Sequence, residues 1–149
     1  MQSDDSRDQD IHHACEQVFL QVAHLTDHGP QQDIADLFEE DGQLDREGTL
    51  ICGRADLKAS YAKRPPELMT RHLVSNFVVR PLSATETMCT AYATVYRFRG
   101  APGTRPEPPV TCAGPESIVE YSDHFVLTAQ GWRIRRRTMR TVITVKSPA

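Results

Sequence analysis

Thr70-Arg71-His72-Leu73-Val74-Ser75-Asn76-Phe77-Val78-Val79 is the longest clean strand signal in the chain. Valine, leucine and phenylalanine recur through it, and Pro81, which cannot donate to a ladder, closes it. Side chains along a strand alternate between faces. Unbroken alternation therefore puts His72, Val74, Asn76 and Val78 on one side and Leu73, Ser75, Phe77 and Val79 on the other. Both sides are mostly apolar, as for a strand covered on each. His72 and Asn76, if buried, need hydrogen-bond partners. They are either satisfied core residues or pocket residues that address a ligand.

Downstream of this stretch the period stays at two. Glu86 to Arg99 alternates Met88, Thr90, Tyr92, Thr94, Tyr96 and Phe98 against Cys89, Ala91, Ala93 and Val95. Glu116 to Thr128 and Trp132 to Val145 read as two further strands, joined by hairpin chemistry at Ala129-Gln130-Gly131. Gly100 to Pro115 holds five of the ten prolines and reads as an extended loop: a lid, a subunit contact or tolerated length.

Upstream the period is helical. The acidic segment Asp4 to Asp10 is suited to open a helix, and Ile11, Ala14, Cys15, Val18, Val22 and Leu25 form its apolar stripe until Gly29-Pro30. Ile34, Leu37 and Phe38 predict a short second helix ending near Asp41-Gly42. Two short extended pieces follow around Glu47-Gly48. A third helix runs from Gly53 to Pro65-Pro66. Helices followed by long antiparallel strands are an α+β signature. Strands this long must curl, with helices on the concave side. The division expected is a lead-in over 1–10 and one domain over 11–146.

With 149 residues, 39% hydrophobic and 25% charged, the chain is sized and composed as one globular domain. A net charge of −3 gives no footprint for nucleic acid or an anionic membrane surface. No run of 18 apolar residues occurs, and the polar, acidic start is unlike a secretory signal, which points to the cytoplasm. Cys15, Cys52, Cys89 and Cys112 form no Cys-x-x-Cys pair, so they read as small structural thiols. His24 and His28 stand four apart on a helix but have no third ligand in view, so no metal is expected. In the arginine-rich end, alternation turns Arg133, Arg135 and Arg137 outward. Arg136 then points inward with Trp132 and Ile134, needing a partner such as Glu120 or Asp123.

Taken in order, Asp27, Asp33-Ile-Ala-Asp-Leu-Phe38, Gly53, Thr-Arg-His-Leu-Val-Ser-Asn at 70–76 and Gly-Trp-Arg-Ile at 131–134 resemble the SnoaL-like branch of the nuclear transport factor 2-like superfamily. The resemblance runs from about Ile11 to Val142. It implies a cone-shaped α+β barrel of curved antiparallel sheet, with N-terminal helices on its concave face around a largely apolar cavity. It also implies a homo-oligomer, a dimer or trimer. Within the branch the chain is most similar to scytalone dehydratase and to the small subunits of ring-hydroxylating dioxygenases. The resemblance carries the dehydratase's buried Asp–His pair onto Asp27 and His72. Its two water-holding tyrosines fall on Thr26 and Arg46, a second histidine falls near Arg97 or Phe98, and a polar pair falls near Val119 and Tyr121. A different substrate is thereby implied.

An aspartate and an imidazole in one apolar cavity suit the loss of water from a hydroxy-ketone, or a keto–enol shift, without a cofactor. His72 would transfer the proton while Asp27 orients it. Asn76, Tyr92, Tyr96 and Tyr121 are the candidates to bind a small apolar or aromatic substrate. On an ideal helix, however, Asp27 lies nearly opposite the Ile11–Val18–Leu25 stripe, so a solvent-exposed, inert Asp27 stays open, as does a core role for His72. The alternative function is a non-catalytic dioxygenase small subunit or a ligand-binding module.

Overall fold

The structure, a computed structural model, describes residues 3–146. Its order is α1 (Asp4–His28), a 3₁₀ helix (Gln31–Leu37), β1 (Phe38–Arg46), β2 (Thr49–Cys52), α2 (Arg54–Ala62), β3 (Leu68–Pro81), β4 (Glu86–Arg99), β5 (Ser117–Thr128) and β6 (Gly131–Thr144). The fold is α+β: helices packed on a curved six-stranded sheet in the order β2-β1-β6-β5-β4-β3.

The expected antiparallel meander accounts for β3 to β6, each pairing with the next. The sheet as a whole is mixed and open, because β1 lies parallel to β6. The second predicted helix is also cut short. Phe38 caps a 3₁₀ helix and starts β1, whose pairing with β6 shifts register between Phe38 and Gln43, the stretch that holds Gly42. A Cβ on Gly42 would stand 2.8 Å from that of Phe38 and 2.9 Å from the Glu39 carbonyl oxygen, so only glycine fits.

At its start, α1 is capped by Ser3, whose Oγ accepts the Ser6 N–H at 3.3 Å, with Asp4 and Asp5 in the first turn. It ends at Gly29, whose φ of 72° lets its N–H reach the Leu25 carbonyl at 2.7 Å. The buried face is Ile11, Cys15, Phe19 and Val22. Phe19, absent from the stripe read in the sequence, turns that face toward the side where Asp27 lies, about 80° further round at 100° per residue.

Two apolar clusters fill the space between helices and sheet. One gathers Ile11, Cys15, Val22, Ile34, Phe38, Leu44, Leu57, Phe125 and Ile134, with Val18 and Leu25 packed against it, along most of the length of α1. The other gathers Phe19, Ala91, Ala93, Val95, Val119 and Tyr121 against β4 and β5. Cys15 and Cys89 are buried in this interior and Cys52 and Cys112 are exposed, all as free thiols.

Bulges in β3 and β6 change which residues face inward. In β3 the pairing shifts between Ser75 and Val78, and Asn76 takes a φ of 54°. His72 and Val74 face in before the bulge, Phe77 and Val79 after it. Asn76 and Val78 are exposed, correcting their predicted place beside His72. In β6, Ile134 pairs with Phe125 and Arg136 with His124, leaving Arg135 as the extra residue. Beyond it Arg137 faces inward and Arg136 outward, the reverse of strict alternation.

The loop from Gly100 is pinned at Glu67: its carbonyl accepts the Gly100 N–H at 2.9 Å and its carboxylate the Gly103 N–H at 3.3 Å. Arg99 pairs with the same carboxylate at 3.2 Å.

Candidate active site

Asp27 and His72, 45 residues apart in sequence, meet where the last turn of α1 crosses β3. The His72 Nδ1 lies 2.6 Å from Asp27 Oδ1, and their side chains are 11% and 7% exposed. As the end strand of the sheet, β3 has backbone N–H groups with no strand to receive them. Asp27 takes one: its Oδ2 accepts the His72 N–H at 2.9 Å. Its Oδ1 also accepts the Thr70 hydroxyl at 2.9 Å, and Thr70 in turn accepts from Arg64 at 2.6 Å. Burial pushes the Asp27 carboxyl up, but hydrogen bonds from the ring and backbone of His72, attraction to His72 and the Thr70 hydroxyl together hold it below its ordinary value. The carboxylate thus ties helix to sheet edge and fixes the imidazole through one nitrogen. Among the described residues no group bonds the other ring nitrogen, Nε2.

His72 lines a cavity of about 420 Å³. Val22, Tyr61, Tyr121 and Met139 supply apolar wall, and Arg46, Lys63, Arg64, Arg97 and Arg137 supply charge. A recess of about 20 Å³ shares His72, Tyr121 and Arg137 with it and reaches Phe19, Val74 and Ala93. On the far side of Asp27 a groove of about 220 Å³ runs between Arg64 and Arg105 of the proline-rich loop. A larger depression, about 990 Å³, is an open polar groove around Glu39, His124 and Arg135 that shares no residue with the His72 cavity. It contains no comparable buried acid–base pair.

Arg137 is the residue that strict alternation missed. It donates from Nε and Nη2 to both carboxylate oxygens of Asp123 at 2.8 and 2.7 Å, with side chains 4% and 0% exposed. Its guanidinium lies 4.6 Å from the Phe19 ring centre and 4.7 Å from that of Tyr121. Burial pushes Asp123 up against the pull of Arg137. Burial acts to lower Arg137, but Asp123 holds it above its usual value. The need for a cation was readable from Asp123 among inward-facing apolar residues of β5. Its identity was hidden by the bulge at Arg135.

Of the predicted substrate-binding residues, Tyr121 lines the cavity, edge-on to Phe19 at 5.3 Å. Burial first, opposed by Arg137, pushes its hydroxyl up to about 12. The other three stand elsewhere. Asn76 is turned out by its bulge. His72 pairs with Val95, and cross-strand partners share a face, so the inward side of β4 is Ala91, Ala93 and Val95. Tyr92 and Tyr96 therefore lie on the opposite face, Tyr96 beside Arg71 and Tyr92 at 41% exposure. The alternation along β4 was right, but which side met His72 depended on register.

His24 and His28 stack at 4.7 Å, and among the described residues no group of three or more potential ligands converges on a metal position. Among the described residues, no helix is long and apolar enough to cross a membrane.

Among solved structures, the chain is similar to a scytalone dehydratase candidate of Novosphingobium aromaticivorans, at 20% identity over 96% of this chain and 91% of that one, with a TM-score of 0.77. It is likewise similar to an aromatic ring hydroxylase candidate of the same organism, at 20% identity over 89% of each chain and a TM-score of 0.68. A Catenulispora acidiphila protein in complex with S-DNPA aligns at 18% identity over 89% of this chain and 94% of that one, TM-score 0.69. At these identities the likeness is one of fold. No curated protein matches. The SnoaL-like domain family matches residues 9–138, nearly the whole described chain, and the chain belongs to that family.

Proposed function

We propose that the chain is a cofactor-independent lyase, or an isomerase, acting on a small hydroxy-ketone by Asp27/His72 acid–base chemistry. One observation carries this reading: Asp27 occupies His72 Nδ1 at 2.6 Å, which leaves Nε2 of a cavity-lining imidazole available to a bound molecule. In the neutral ring with Nδ1 protonated, Nε2 is the basic nitrogen. It takes the proton from the carbon next to the substrate carbonyl, and the C–H electrons pass into an enolate. The Tyr121 hydroxyl and Arg137, which retains donors beyond the two given to Asp123, offer hydrogen bonds to the enolate oxygen. The enolate then expels the β-hydroxyl, which takes the proton from Nε2 and leaves as water. In an isomerase, Nε2 would return the proton to another carbon instead. The likeness to the scytalone dehydratase candidate supports the lyase form.

A panel of β-hydroxy-ketones, with enone formation followed by ultraviolet absorbance, tests the reading. Asp27→Asn and His72→Ala should each lower turnover by roughly 10²–10⁴-fold. Wild-type turnover in either variant would remove the dyad from the chemistry.

The likeness to the aromatic ring hydroxylase candidate supports a second reading, a non-catalytic dioxygenase small subunit or small-molecule-binding module. Asp27 is then a staple between α1 and the sheet edge, and a large oxygenase subunit should co-purify. A homo-oligomer, dimer or trimer, is part of either reading. Leu73, Thr94, Ile118 and Ile143 stand in register across four strands on the outer face, with Leu73 54% and Ile143 52% exposed, which supports it. The free thiols support a reducing, cytoplasmic setting.

A further inference from the structure

The sequence reading expected an apolar or aromatic substrate, but the wall of the His72 cavity is cationic. Arg46, Lys63, Arg64, Arg97 and Arg137 line it, and no aspartate or glutamate does. This concentration of positive charge sits in a chain of net charge −3. Not all of the five are free to meet a ligand. Arg137 is neutralised by Asp123. Arg97 leans on the half-exposed Glu116 at 2.9 Å. Arg64 is engaged by Thr70, which links it to Asp27.

Arg46 differs from these three. Its Nη1 donates to Ser60 Oγ at 3.2 Å, and its guanidinium stands 5.4 Å from the centre of the Tyr61 ring. Both contacts orient the group and neither cancels its charge. Among the described residues, no carboxylate oxygen lies within 4.0 Å of it. A guanidinium held by a neutral hydroxyl and an aromatic face keeps the rest of its planar fork for a two-oxygen anion. Lys63 adds charge at the same wall that no carboxylate pairs with among the described residues. The cavity's volume suits a ligand of one or two rings.

We propose that the molecule taken into this cavity is an organic carboxylate: an apolar, ring-sized body lying against Tyr61, Tyr121 and Met139, with its carboxylate bound by Arg46. Joined to the acid–base reading above, on which this last step rests, the substrate is a hydroxy-keto acid whose carboxylate is anchored at Arg46 while its reacting carbon faces His72. The charge around Arg46 then serves recognition, and the dyad serves proton transfer.

The test measures binding, so it does not depend on turnover. 1-Naphthoate and its neutral isostere 1-naphthamide are titrated into the full chain by isothermal calorimetry at low ionic strength. Wild type should prefer the carboxylate by about tenfold or more, the usual worth of a charge-assisted hydrogen bond over a neutral one. Arg46→Met should abolish the preference while leaving naphthamide affinity unchanged, and Arg46→Lys should restore part of it. Arg136→Met, altering the open groove outside the cavity, should change nothing. Equal affinity for the two probes in wild type overturns the proposal, as does a preference that survives Arg46→Met or vanishes with Arg136→Met. His72→Ala separates the two readings. If the dyad is inert, His72→Ala and wild type do not differ in hydroxy-ketone turnover, while the carboxylate preference stands. If the anion site is wrong, the preference is missing whatever the turnover.

Discussion

The interior beneath α1 has two regions of very different character. One is a closed end, where Ile34, Phe38, Leu44, Leu57, Phe125 and Ile134 are wholly buried against one another. The other is an open end, where Thr26 and Tyr121 border a void of about 420 Å³ and the interior carries both a carboxylate–imidazole pair and a carboxylate–guanidinium pair. Close packing favours the first arrangement for stability. An ion pair withdrawn from water gains little over apolar side chains of the same volume. The open end therefore holds chemistry at a cost that the closed end offsets, and mutations in the two should differ in whether they cost turnover as well as stability.

The sharpest break in that comparison is Arg137→Met, which strands Asp123 without its partner. It should destabilise by about 3–5 kcal/mol in urea unfolding, whereas Arg137→Met with Asp123→Leu should recover most of the loss. At the closed end Leu57→Ala should cost about 2–5 kcal/mol through the cavity it opens. The Leu57 variant should turn over substrate normally once folded. Both Arg137 variants should lose activity even at temperatures where they are fully folded, because Arg137 faces the void.

Asp27→Asn comes next and adds a pH signature. The folded-state carboxyl is held below its ordinary value of 3.8, so its contribution is fully present above that pH and lost as pH falls through the folded value. Wild type should therefore lose stability more steeply than Asp27→Asn as pH drops below about 4. At neutral pH the variant should be less stable by about 1–3 kcal/mol, the cost of loosening hydrogen bonds to a buried charge. Parallel acid limbs for the two proteins would show that Asp27 gains nothing from His72 on folding.

How much of this was legible depended on whether a feature lay within one strand or between two. The four long strands and the apolar face of α1 are periodic signals, and they emerged within a few residues of their observed limits. His72 and Asp27 came from the family resemblance, and their contact overrode the helical-wheel objection because Phe19 rotates the buried face. Register was not legible, so Tyr92 and Tyr96 were put on the wrong side of β4. Nor were the bulges, although three consecutive arginines beside an apolar run, and Ser75-Asn76 inside one, are places where alternation is least constrained. The parallel pairing of β1 with β6 joins segments some 90 residues apart, and nothing local encodes it.

Asn76→Ala addresses one of those bulges. Its φ of 54° suits asparagine better than alanine, so the substitution should cost about 1 kcal/mol while leaving turnover unchanged, as its outward position requires. A fall in turnover at constant stability would return Asn76 to the site from which its bulge removes it.

The smallest effect is expected one residue from the largest. Arg136 donates to Gln43 at 2.9 Å and lies 3.5 Å from Asp45, with its side chain 46% exposed. Two solvated side chains of this kind gain little from each other, since water and salt compete for both charges. Arg136→Ala should therefore shift stability by no more than about 0.5 kcal/mol and leave turnover untouched. Arg137, next in sequence and identical in chemistry, should cost several times that when altered. The contrast is set by the pairing beyond the extra residue at Arg135, and deleting that residue should leave it standing: Ile134 in, Arg136 out and Arg137 in is then plain alternation, with Arg136 still across from His124 and Arg137 from Asp123. If Arg136→Ala proved the more damaging of the two single changes, the bulge and the buried pair built on it would both be misplaced.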